Sequence, residues 1–428
     1  MNKWIYVCAA MTPVLTAGQT AGAQGLGAES AERASVDYSR SVAERPIETY
    51  RNSMVQLGAW QFYPGIELDE LYDSNIYATP NDEKDDFITI LKPRARLESD
   101  WSVHEIKFEA GGDFGFYGDY TDENYQDYYI RNSDRFEIVR DTNLIVGALY
   151  QHAHESRSSS DNIYSSAEPI TYDLLSGTLG FERSLGIISL RIDGRIDDIS
   201  YDNTDIIGGG TMDNSIRDRE ILDGGIRLGY KPMEGSEAYF KARMNEVTYD
   251  DSTKYGGPDR DNSGFELSVG LSKTISDLWV FDAYLGYAPS DYVDASLEDV
   301  SGGDAIIAGA SVLWNPTALT SVIGTLDRRA YQTTQSGASA EIDTSISFEV
   351  QHKLTRSVIL DTSLGYSNQD YAGSSREDDV YRLGLGASYF FTNLISVRAA
   401  YGYQERDSSI ESNEFDKHMA SLQLRVNY

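Results

Sequence analysis

Of the five histidines in the chain, His152 and His154 are the pair close enough in sequence to share a task. On a strand, residues two apart point to the same side, so both imidazoles could meet one metal ion. Two ligands do not make a zinc site, however, and no third histidine or carboxylate stands at a zinc spacing, so a hydrated loop edge is the better account. No Gly-x-Ser-x-Gly elbow, His-Glu-x-x-His pair or Walker loop occurs. Gly208-Gly209-Gly210 lies in an acidic stretch between strands, where a phosphate would find no helix N-terminus. The expectation is therefore a protein that is no enzyme and carries no metal or cofactor. A hydrolase assembled from scattered strands is the remaining enzymatic reading.

What recurs instead is charge at every second position. Ser189, Arg191, Asp193, Arg195 and Asp197 alternate with Ile188, Leu190, Ile192, Gly194 and Ile196, which puts charge on one face of a strand and aliphatic side chains on the other. Trp279 to Tyr287 and Ile342 to Gln351 divide in the same way. In a closed barrel the charged face would line the lumen. That face includes Lys107, Glu109, Arg227, Lys231, Arg243, Arg382 and Arg398, with Lys241, Arg425, Glu105, Asp113, Asp223 and Glu349 beside them. Mixed signs suit a selectivity ring or, at least equally, a salt-bridge network that stiffens the wall. Tyr284 and Phe390 also face inward, too few to form a sugar-stacking track.

These residues need strands to position them, and the chain supplies little else. Beyond the leader no apolar run is long enough for a membrane-spanning helix. From about Gly65 onward, alternating stretches are joined in turn by short turns and by longer acidic loops. The short turns fall at Ser99-Asp100-Trp101, Arg140 to Asn143, Ser184-Leu185-Gly186, Met233-Glu234-Gly235, Ser276-Asp277, Asn315-Pro316-Thr317, Thr355-Arg356 and Thr392-Asn393. This spacing predicts an all-β, antiparallel up-and-down transmembrane barrel of about 18 strands, with 16 as the alternative. The doubtful strand is Phe87 to Leu97, where Pro93 removes a ladder donor.

Tyrosines near strand ends (Tyr117, Tyr120, Tyr230, Tyr287, Tyr292, Tyr366, Tyr371, Tyr401 and Tyr403) suggest aromatic girdles at the membrane rims. Leu422, Leu424, Val426 and Tyr428 form an alternating last strand ending on an aromatic ring. No long constricting loop is evident, which favours a monomer.

The first residues read as a secretory leader: Lys3, an apolar stretch to Leu15, and Ala21-Gly22-Ala23 as the cleavage site. Cys8, the chain's one cysteine, sits in that leader. The organisation expected is leader 1-23, a polar periplasmic arm or plug 24-60, and a barrel 61-428. A net charge of -32 argues against nucleic acid as a partner. Acidic clusters at Asp82-Glu83, Asp85-Asp86, Asp122-Glu123, Asp250-Asp251 and Glu377-Asp378-Asp379 are read first as solvated loops, and second as divalent-ion bridges to lipopolysaccharide.

The entry to the barrel resembles the family called putative β-barrel porin 2. The resemblance lies in Arg45-Pro46, Tyr50, Gln56-Leu57-Gly58-Ala59-Trp60, Tyr63-Pro64-Gly65-Ile66-Glu67 and Tyr72-Asp73-Ser74-Asn75-Ile76-Tyr77-Ala78-Thr79, and again in Ser99-Asp100-Trp101 and Tyr117-Gly118-Asp119-Tyr120. Ser74 stands where the family's pattern usually has an aspartate. The resemblance implies a barrel in the outer membrane of a Gram-negative cell, in contact with its lipid and lipopolysaccharide. It also implies a link to exopolysaccharide and its export proteins. The last strand resembles the signal read by barrel-assembly machinery. The function expected is a passive porin-like channel, with a structural or surface-anchoring barrel as the alternative.

Overall fold

The computed structural model describes residues 41–43, 54–162, 166–275 and 278–427. Ala21, Ala23, the rest of the leader, most of the 24-60 arm, Ser276-Asp277 and Tyr428 lie outside the described residues. The fold is a closed antiparallel barrel of 18 strands. In chain order these are β1 (Trp60–Asp73), β2 (Asp86–Ser99), β3 (His104–Tyr117), β4 (Tyr125–Val139), β5 (Thr142–His154), β6 (Thr171–Leu185), β7 (Ile188–Tyr201), β8 (Arg219–Met233) and β9 (Ser236–Tyr249). They continue as β10 (Asn262–Ile275), β11 (Trp279–Tyr287, resumed at Ser290–Tyr292), β12 (Ile306–Thr317), β13 (Thr320–Gln332), β14 (Ala340–Lys353), β15 (Val358–Tyr371), β16 (Glu377–Phe390), β17 (Ile395–Ser408) and β18 (Phe415–Asn427). Each strand pairs with its neighbours in sequence, and β18 closes on β1 from Gly65 opposite Asn427 to Asp73 opposite Met419. A barrel closed this way leaves no edge unpaired.

Alternation decides which side chains face out. Leu175, Leu179, Ile192, Ile196, Leu222, Leu228, Val269, Leu271, Leu422, Leu424 and Val426 are exposed on the outer surface, an arrangement that is stable only against lipid. The residues between them point inward and are mostly charged or small. Pro93 lies within β2 without breaking it. The β2–β3 register runs from Leu91 opposite Phe114 to Arg94 opposite Gly111, and the two intervening pairs are absent. The proline has no N–H to give there. Arg94 Nη1 donates to the Gly112 carbonyl at 2.6 Å, so the acceptor opposite the proline stays satisfied.

The short turns together form one end of the barrel; the turn expected at Asn315-Pro316-Thr317 falls instead at Ala318-Leu319, because β12 runs on through Thr317 to pair with Thr320. Gly186 and Gly235 hold φ of +65° and +70°, as tight hairpins of right-twisted strands require. The longer connections, 155–170, 202–218, 250–261 and 293–305 among them, form the opposite end. In outer-membrane barrels the long loops face outward from the cell.

The tyrosine girdle needs revision. Tyr230, Tyr287, Tyr366 and Tyr401 are exposed on the outer wall as expected, but Tyr371 is buried beneath the Arg376 guanidinium, 4.5 Å from the ring centroid. Tyr117 points inward, opposite Ile88, and the Tyr292 hydroxyl donates to the Ser339 carbonyl at 2.8 Å.

Candidate functional site

The middle of the barrel interior is not filled by side chains. The inward side chains of Arg94 and Asp113, an ion pair at 2.5 Å, retain 41% and 38% of their exposure. The inward Ser133, Thr325 and Ser347 are exposed as well. Such exposure inside a closed wall leaves room for water in the lumen, which an 18-strand barrel is wide enough to hold.

Most of the charged candidates form pairs along this wall. Lys107 meets Glu109 at 2.9 Å, and Arg131 reaches the same glutamate at 2.5 Å. Arg191 bridges Glu182 at 3.0 Å and Asp193 at 3.2 Å. Arg243 takes the other side of Asp193 at 2.8 Å and also binds Asp223. Glu182, Arg191, Asp193, Arg243 and Asp223 thus form one continuous network spanning β6 to β9. Arg195 pairs with Asp197 at 3.2 Å, Arg227 and Lys231 with Glu237 at 3.2 and 4.0 Å, and Arg398 with Asp361 at 2.5 Å. Arg382 points inward between Gly365 and Gln404.

The expectation that no long loop constricts the barrel is overturned. The segment after β5 turns into the barrel and crosses to the far wall. Ser160 Oγ donates to Glu341 at 2.7 Å, and the Ser160 carbonyl accepts from Arg376 at 3.0 Å and Gln335 at 2.8 Å. The Ser158 carbonyl accepts from Arg406 at 2.6 Å, and Thr333 donates to Asp161 at 2.6 Å. From β5 to β14 is half-way round 18 strands, so this strap spans the mouth at the long-loop end.

The strap is anchored on its own side too. Arg157 binds Glu123 at 2.6 Å, and Glu155 pairs with Arg217 of the 202–218 loop. Burial opposes the charge on Arg217, but Glu155 and Tyr201 outweigh it and hold the guanidinium above its ordinary value. Inward apolar residues support this end, where Leu174, Ile199, Ile221, Val247 and Tyr249 form a buried cluster within the barrel.

Three acidic clusters read as solvated loops are therefore partly structural. Glu123 and Asp378 are buried and bound by Arg157 and Arg376, while Asp86 accepts the backbone N–H of Asp119 and Tyr120. Between the outer loops, Lys254 bridges to Asp213 at 2.8 Å. Hydrogen bonds from Lys254, Ser215 and Tyr255 hold the Asp213 carboxyl well below its usual range.

At the short-turn end, part of the arm enters the barrel. The Val42 N–H donates to Ser321 Oγ at 2.8 Å and the Ala43 N–H to Gln351 at 3.0 Å, while Val42 packs on Ile359 and Phe390. His152 and His154 separate, pairing with Asp173 and Asp127, each at 2.9 Å. Among the described residues no group of three or more potential ligands could hold a metal ion.

The sequence reading missed the strap and the inward tyrosines. Besides Tyr284, Tyr63, Tyr129, Tyr239 and Tyr249 face inward, each with a guanidinium over its ring: Arg96, Arg94, Arg227 and Arg219. The period-2 rule places these rings. The strap's far contacts, some 170 or more residues away in sequence, leave no such signal.

Among solved structures, the chain is similar to OccK2 (OpdF) of Pseudomonas aeruginosa at 12% identity and a TM-score of 0.46, covering 87% of this chain and 98% of that one. It is similar to OccAB3 of Acinetobacter baumannii at 11% identity and 0.46, covering 87% and 100%. It is also similar to the siderophore receptor PirA of P. aeruginosa at 9% and 0.44, covering 86% and 80%. No curated protein sequence matches it. The sequence profile of putative β-barrel porin 2 matches residues 48–428. The chain belongs to that family, and it is a porin-like barrel of the outer membrane.

Proposed function

We propose that the barrel is a passive channel for small polar solutes, narrowed at its outer mouth by the 155–162 strap. The observation that carries this reading is the exposure of Arg94, Asp113, Thr325 and Ser347 inside a closed wall. Water reaches the middle of the lumen, and paired charges of both signs line it. The link to exopolysaccharide implied by the family resemblance requires more, because a polymer could pass only with the strap displaced.

The burial of Arg157, Arg217, Arg376 and Arg406 at the mouth favours a second reading, a structural barrel shut at its outer end. Swelling of proteoliposomes in arabinose and in raffinose separates the two. The channel reading expects arabinose to enter faster than raffinose. Swelling no faster than in protein-free vesicles would overturn it.

A further inference from the structure

We propose that the lumen wall at Arg382 and Gln404 is a binding subsite for a small hydroxylated carboxylate. The two residues are cross-strand partners on β16 and β17, and both point inward. Arg382 is half-buried, and among the described residues its guanidinium makes neither an ion pair nor a hydrogen bond. Its neighbours do otherwise. Arg398 holds Asp361 at 2.5 Å, Lys417 holds Asp73 at 3.2 Å and Arg376 holds Asp378 at 2.6 Å. Asp343, two strands away, interacts with the Arg382 guanidinium through charge but beyond ion-pair distance, and its carboxylate accepts from Ser367 Oγ at 2.6 Å.

Gln404 is the second observation. It is 1% exposed, and both its amide nitrogen and its amide oxygen lack a hydrogen-bond partner. Native proteins seldom leave such a group unsatisfied, and where they do, a ligand or water commonly completes it.

The wall also leaves room. Thr325, Ser347 and Gly365 stand on the same cross-strand row as Arg382. Thr325 and Ser347 are exposed to the lumen, and a Cβ added to Gly365 would meet only the Arg382 Cβ, at 3.7 Å. A guanidinium fork matches a carboxylate in two parallel hydrogen bonds. A carboxamide offers one donor and one acceptor side, which suits a hydroxyl beside that carboxylate.

The proposal rests on the channel reading only for how the ligand arrives, so its test does not need current. Isothermal titration calorimetry on the full barrel refolded in detergent would use gluconate, acetate and glucose as probes. Gluconate is expected to bind saturably and glucose not to bind. Arg382→Gln is expected to weaken gluconate about tenfold or more, the loss of a charge-assisted pair. Gln404→Leu should weaken gluconate and leave acetate unchanged. Heat-modifiable mobility on gels confirms that each variant is folded.

No gluconate heat with the folded wild-type protein would overturn the proposal. So would equal affinity in Arg382→Gln, or glucose binding as well as gluconate. Calorimetric binding in a protein that fails to swell vesicles would sink the channel reading and leave the subsite standing.

Discussion

Loosening the strap should open the lumen to reagents from outside, and Arg406 is the place to loosen it. Its Nη2 donates to the Ser158 carbonyl at 2.6 Å, and its Nη1 reaches the Ser159 carbonyl at the outer limit of 3.5 Å, so one good charge-assisted bond is at stake. Such a bond contributes about 1.5–3 kcal/mol, and Arg406→Gln should therefore raise the population of the displaced strap roughly 10- to 100-fold. The change leaves no carboxylate alone, because Asp378 keeps Arg376 at 2.6 Å and Ser408 at 2.6 Å.

The assay needs a reporter inside the barrel. Ser347→Cys supplies one, since the natural cysteine, Cys8, lies in the leader expected to be removed. A charged thiol reagent added on the long-loop side should label the S347C/R406Q protein faster than S347C by about that same factor when opening limits access. Ser160→Ala, which removes the bond to Glu341, should act in the same direction. Its effect should not simply add to that of Arg406→Gln, because the two share one network. Equal labelling rates in folded S347C and S347C/R406Q would refute the idea that the strap controls entry.

Three further outcomes follow from the wall and the loops. Arg243→Leu leaves Asp193 and Asp223 facing each other without their shared cation, and should cost about 3 kcal/mol, read as a lower urea midpoint for unfolding from lipid vesicles. Leu179→Arg puts a charge on the exposed outer wall and should cost about 2–4 kcal/mol if that residue sits at mid-membrane, while Thr178→Arg, one residue along on the lumen face, should cost far less by the same measurement. For Asp213 the folded pKa is depressed, so its contribution is present above the unfolded value of about 3.9 and is lost only as pH falls through the lower folded value. Its side-chain carboxyl carbon should accordingly show no titration near pH 3.9, and an ordinary titration there would contradict the Lys254 bridge.

The wall was legible in the sequence because its rule is local. Arg191, Asp193, Arg195 and Asp197 against Ile192 and Ile196 fix two faces whatever the rest of the chain does. The turns at Gly186 and Gly235 follow from the φ values a tight hairpin demands. Pro93 misled only in part, since the cost of its missing donor is met by Arg94, a side chain whose reach no spacing reveals.

The same rule, applied to the tyrosines, would have separated Tyr366 from Tyr371. Five residues apart on one strand, they must face opposite sides, and strand-end position alone hid that. The acids went astray for a different reason. Glu123 and Asp378 look like their solvated neighbours until Arg157 and Arg376 arrive from elsewhere in the fold. The strap was illegible for the same cause, as its serines read as an ordinary loop and its partners on β14 and β17 are distant in sequence.

The central claim is a water-filled channel narrowed by that strap. Single-channel recording of the mature protein in a planar bilayer tests it most directly, with wild type beside a variant in which 156–162 is replaced by a short glycine-serine link. Stable conductance steps in the wild type, and larger steps in the variant, are the predicted result. A correctly folded barrel that stays silent in both forms would contradict the account.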